Sequence, residues 1–165
     1  RGDTESYDDP QNADLVRVID RRMGLPVSLG ILYIFAARAQ LWPVAGVDFP
    51  GHFLIRLEGE DGALILDPFH QGRIAAPPEM NDLLRRVSET ELRPEHVRSM
   101  TGREVLLRLQ NNIKARAWRA GDAEALARAQ DVTLFMLLLA AAALVGPANL
   151  MPILDTGSLV RRTRH

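Results

Sequence analysis

Three residues with a chemical use follow one another along the chain: Ser28, His52 and Asp67. A serine hydroxyl can act as a nucleophile and a histidine as its base. An aspartate can fix the imidazole tautomer and stabilise the imidazolium. Ser28 falls at the start of a strongly apolar segment. There a helix leaves backbone N–H groups unpaired and its dipole is positive, so a developing oxyanion can be held. His52 follows a Pro50-Gly51 corner and opens an apolar run, and Asp67 closes the next run. Adjacent antiparallel strands bring such residues side by side. Each residue also has an ordinary use. Ser28 can serve the backbone as a first-turn serine, His52 can be a turn histidine, and Asp67-Pro68 is a common turn start.

His70 lies three residues beyond Asp67, so a metal site built from His52, Asp67 and His70 is conceivable. No His-Glu-x-x-His spacing accompanies it, and neither a metal nor a cofactor is expected. Arg73 can hold a carboxylate, although a strand-end arginine is ordinarily solvated. His96 and His165 read as surface residues, and Tyr33 and Trp42 as core.

The elements that must position these groups are legible from periodicity. Leu15, Val18 and Ile19 mark an amphipathic helix over 12–22, with Asn12 as its N-cap. Gly24-Leu25-Pro26 breaks it, and a second helix runs over 27–40. Being apolar almost all round, that helix is expected inside the fold. Short β-type runs follow at 44–49, 53–58 and 63–66, with 59–62 as a hairpin loop, giving an antiparallel sheet of at least three strands. A short helix is predicted at 81–87 and a longer one at 101–120, the latter with Val105, Leu106, Leu109, Ile113, Ala117 and Trp118 on one face. Gly121-Asp122 ends it and caps another helix. The apolar run 134–145 is too short for the roughly 20 residues of a membrane span and reads as a core or interface helix. The basic tail 161–165 reads as a frayed terminus. Helices, then strands, then helices indicate an α+β fold.

Composition narrows the function classes. The chain has 165 residues, 47% apolar and 25% charged, an ordinary globular balance. Its net charge of −1 gives no global attraction to nucleic acid or to an anionic membrane. With no cysteine there is no disulfide, no thiolate metal site and no thiol nucleophile. The opening residues lack the apolar stretch of a signal peptide, and a cytoplasmic location is expected. Arg1 is not a start methionine, so the chain reads as part of something longer.

Three blocks in order, Gly24-Leu25-Pro26-Val27-Ser28-Leu29-Gly30, Phe49-Pro50-Gly51-His52-Phe53-Leu54 and Leu66-Asp67-Pro68-Phe69-His70, resemble the transglutaminase-like superfamily. Within it they are similar to the bacterial SirB-type branch, as is Tyr7-Asp8-Asp9-Pro10-Gln11-Asn12. The resemblance implies a papain-like α+β core over 1–98, shortened at its N-terminus relative to the family. It also implies a helical, tetratricopeptide-like segment over 99–165. In the superfamily a cysteine at the helix start, a histidine and an aspartate form the catalytic triad, and His52 and Asp67 match the last two. Pro26 stands at the cysteine position. Ser28 is two residues further on, about 200° around the helix. The expectation is therefore a domain without the cysteine nucleophile, acting as a binding or scaffold module for a protein or peptide partner, with no nucleic-acid or membrane role. The alternative is a Ser28-His52-Asp67 acyl transferase or amide hydrolase. A homodimer through the C-terminal helices is a further expectation.

Overall fold

The computed structural model describes residues 1–60, 62–87 and 91–145, with the backbone alone for 136 and 138–145. The first helix, α1 (Leu15–Arg21), is capped by Asp14, whose carboxylate accepts the Val16 and Arg17 N–H groups at 2.9 and 3.3 Å. Asn12 is not the cap expected from sequence. It lies in a separate 3-10 turn, Pro10–Ala13, that Asp9 starts. Its buried amide donates to the Ser6 carbonyl at 2.7 Å and accepts from Arg21 at 3.0 Å. The nearer carboxylate wins the helix end because it can reach the first free N–H groups of α1.

The second helix, α2 (Pro26–Ala39), begins with Pro26 where a missing N–H costs nothing. Its first turns and Ile34 are buried, but the rest of its far half is at least partly exposed. Phe35 and Trp42 are exposed, and Tyr33 is at the border. Tyr33 and Trp42 are thus not core residues. They line a groove of about 520 Å³ between α2 and the sheet.

The sheet has five antiparallel strands in the order β4-β3-β2-β1-β5. They are β1 (Val44–Val47), β2 (Leu54–Gly59), β3 (Gly62–Asp67), β4 (Arg73–Ile74) and β5 (Ser99–Met100). The hairpin closes at Gly59↔Gly62, as the glycines predict. Successive residues at the start of β2 face opposite sides of the sheet. Phe53 and Ile55 join Leu25, Val27 and Ile34 of the α2 side, together with Val105 and Leu109. Leu54 joins Val47, Phe49, Met80 and Leu84 on the other side, under α3 (Pro77–Arg85). Both faces are covered, which is why Phe53-Leu54-Ile55 is apolar without interruption.

Phe53 sets how close α2 can come. A Cβ on Gly30 would lie 2.2 Å from the Phe53 ring, and one on Gly46 would lie 2.9 Å from it. The ring occupies a notch that two glycines leave open, one on the helix and one on β1.

The helix α4 (Gly102–Ala120) starts with Thr101 and Glu104 in a reciprocal capping box, Thr101 N–H to Glu104 at 2.7 Å and Glu104 N–H to Thr101 at 3.3 Å. Val105, Leu109 and Ala117 are buried as expected, but Leu106 and Trp118 are exposed. Trp118 lies thirteen residues beyond Val105, about 220° away around the helix. Arg116 takes the inward place. Its guanidinium stacks 5.1 Å from the Tyr7 ring, donates to Asn112 and the Tyr7 carbonyl, and lies 3.6 Å from Asp8. Gly121, at φ 67°, turns the chain into α5 (Ala123–Val145), which packs against α4. Within the run expected to be a core or interface helix, Leu134, Phe135 and Leu137 are exposed. The basic tail falls outside the described residues. No helix among those described is long and apolar enough to cross a membrane.

Candidate functional site

The corner that carries His52 is built by glycine and held by arginine. Gly51 has φ 68°, a conformation that favours glycine, and a Cβ there would meet Val87. The His52 N–H closes the turn on the Phe49 carbonyl at 3.3 Å. Arg108 of α4 then clamps the corner. It donates to the Phe49 carbonyl at 3.0 Å and to the His52 carbonyl at 2.6 Å, and pairs with Asp48 at 2.6 Å. His52 therefore sits just ahead of β2 rather than as its first residue.

Asp67 is the last residue of β3, beside β2, and is 5% exposed. Its two oxygens have different duties. Oδ1 accepts the Phe69 and His70 N–H groups at 2.9 and 3.3 Å, which folds the following turn and fixes the carboxylate plane. Oδ2 lies 3.0 Å from Nε2 of His52 and 2.7 Å from Nδ1 of His70. Burial acts to raise the pKa of this carboxyl. Hydrogen bonding and charge from His52, then from His70, outweigh it and bring the value down to about 2. The group is ionised at neutral pH and can keep both facing ring nitrogens protonated.

The approach of His52 to Asp67 expected from sequence is thus present. His70, given no catalytic part by the spacing, is also at the site. Its side chain is half-exposed, while that of His52 is 13% exposed. Phe69 packs edge-on to His52, and Tyr7 edge-on to Phe69. Arg73 points to Glu79, 3.8 Å away, and is largely solvated. His96 accepts the Arg93 N–H, and among the described residues no hydrogen bond or ion pair joins it to the cluster.

Ser28 has other partners. It is fully buried at 0% exposure. Its Oγ accepts the Leu25 N–H at 3.0 Å and lies 2.6 Å from the Asn12 carbonyl oxygen and 3.1 Å from that of Leu25. Its one proton is directed to those carbonyls. Among the described residues no hydrogen bond joins Ser28 to His52.

Arg108 escaped sequence reading because nothing local separates it from the other arginines of α4. Its partners lie 56 to 60 residues away. His70 carried a usable signal, the Asp-x-x-His spacing across a turn, which lets a side chain fold back onto the carboxylate.

A helix entrance packed on an antiparallel sheet, with a histidine and an aspartate meeting at the sheet end, defines a transglutaminase-like core. The chain belongs to that superfamily: the family model described as transglutaminase-like superfamily matches residues 1–111. Among curated proteins it is similar to a UPF0162 protein of Xylella fastidiosa, 36% identical over 68% of this chain and 42% of that one. A UPF0162 protein of Pseudomonas aeruginosa is 36% identical over the same shares. F-box only protein 21 of Homo sapiens is 33% identical over 44% of this chain and 13% of that protein. The chain thus spans about two fifths of the length of the bacterial relatives. No solved structure matches it significantly.

Proposed function

We propose that this chain is a transglutaminase-like domain that carries out no acyl transfer and serves as a binding module for a protein or peptide partner. The observation that carries this reading is the state of Ser28. Ser28, the hydroxyl nearest to the family's cysteine position, is buried and is spent on Leu25 and Asn12. Pro26 offers no nucleophile, and the chain holds no cysteine. Among the described residues, His52 and Asp67 therefore form a base and its orienter with no hydrogen-bonded hydroxyl to activate.

Two further observations support binding. The groove between α2 and the sheet is lined by Tyr33, Trp42, Leu57 and Leu66, with little polar surface, which suits an apolar segment of a partner. A similar stretch makes up 13% of F-box only protein 21, as expected of a module used in different chains. Membership of the SirB-type branch and a tetratricopeptide-like C-terminal segment belong to the same reading, supported by the sequence blocks and by the packed pair α4–α5. So do a cytoplasmic location and self-association through exposed Leu134, Phe135 and Leu137.

The test is covalent. A fluorophosphonate probe should leave the purified protein unlabelled, and amine incorporation into a glutamine peptide should stay at the buffer level. Labelling that disappears in Ser28→Ala would overturn the reading in favour of the serine mechanism.

A further inference from the structure

We propose that His52, Asp67 and His70 form a site for one divalent transition-metal ion, with Zn²⁺ the best match to the donors. One ring nitrogen of His52, one of His70 and a carboxylate oxygen of Asp67 all lie within 4.8 Å of one another. Zinc bonds of about 2.0 to 2.2 Å to nitrogen and carboxylate oxygen require donor atoms roughly 3 Å apart. The two contacts to the shared oxygen, 3.0 and 2.7 Å, already meet that spacing. Only the two nitrogens have to close on each other. His70 can supply that movement, being half-exposed on a turn, while His52 is held by the Arg108 clamp on its carbonyl.

The aspartate is prepared for a single metal bond. Oδ1 is committed to the Phe69 and His70 N–H groups, so Oδ2 alone is free to ligate. Backbone donors to the second carboxylate oxygen orient a ligand in the way that outer partners of metal sites do. Two imidazoles and one carboxylate oxygen favour zinc and its neighbours over magnesium or calcium, which prefer sets made of oxygen alone. Asp67 and His70 also help to line a cleft of about 200 Å³, which offers room for further ligands. On binding, each imidazole presents the facing nitrogen without its proton and carries one on the other ring nitrogen. Any second proton goes to solvent.

This site is independent of the acyl-transfer question, and its test reads no activity. Tag-free, metal-stripped protein is titrated with Zn²⁺ in competition with a chromophoric chelator. The expected result is one ion per chain. His52→Ala and His70→Ala should each weaken binding at least about tenfold, while His96→Ala leaves it unchanged. Co²⁺ loaded in place of zinc should give visible absorption bands that both ligand variants lose. His70→Ala changes a half-exposed side chain, and circular dichroism can verify that it remains folded. Absence of stoichiometric binding, or an affinity that His70→Ala does not alter, would overturn the proposal.

Discussion

The entrance of α2 and the end of β3 hold the same kinds of groups, a small polar side chain among backbone amides and carbonyls, yet they are used in opposite ways. At the helix entrance the Ser28 hydroxyl is enclosed and every bond it makes is to main chain. At the strand end the Asp67 carboxylate splits its duties. One oxygen serves the main chain and the other faces two imidazoles, one of them half-open to solvent. A polar residue in a motif position is chemically available only when an atom is left over after local folding has been satisfied. By that criterion the strand end retains a capacity that the helix entrance has lost.

Removing the carboxylate should have the largest effect. Asp67→Ala leaves two imidazoles and two N–H groups without their partner, and we expect a loss of about 3 to 5 kcal/mol in urea denaturation at pH 7. A loss below about 1 kcal/mol would mean that the strand end is not an integrated network.

The next effect is in acid. The Asp67 pKa is pulled below its ordinary 3.8 to about 2, so its contribution is complete above pH 4 and is lost as pH falls from 4 toward 2. That contribution is roughly 2 kcal/mol. Subtracting the stability profile of Asp67→Asn from that of the native chain should expose a step in this window. A flat difference would contradict the assigned ion pairing.

Ser28→Ala has an effect of the same order as the acid step. It should cost about 1 to 3 kcal/mol, because the Asn12 and Leu25 backbone groups lose a buried partner. We expect this variant to lose stability yet bind Zn²⁺ as before. If Ser28→Ala alters the His52 and His70 imidazole signals in NMR while the fold is retained, the helix entrance and the strand end are not independent.

Much of this arrangement was legible in the residues. The glycines at 59 and 62 specify the hairpin, and the hairpin in turn sets Asp67 beside the start of β2. That the strand through Phe53-Leu54-Ile55 is covered on both faces emerged only from the packing. What escaped has a common cause. The two-residue strands β4 and β5 are too short to show any period, and they exist because neighbouring strands offer free edges. Arg108 and Arg116 are recruited by partners distant in sequence, so no window around them carries the signal. Asn12 and Asp14 both suit a helix cap, and only geometry chooses between them. Leu106 and Trp118 join the inward stripe only if a helix face is drawn too wide.

The clamp by Arg108 has a mechanical consequence. The corner bearing His52 is anchored to carbonyls on either side of Pro50-Gly51 by one side chain from α4, so the imidazole inherits its position from a helix that begins 50 residues later. A rotation or axial slip of α4 would be transmitted to that ring as through a lever. Any displacement of α4 would therefore be felt first at that imidazole.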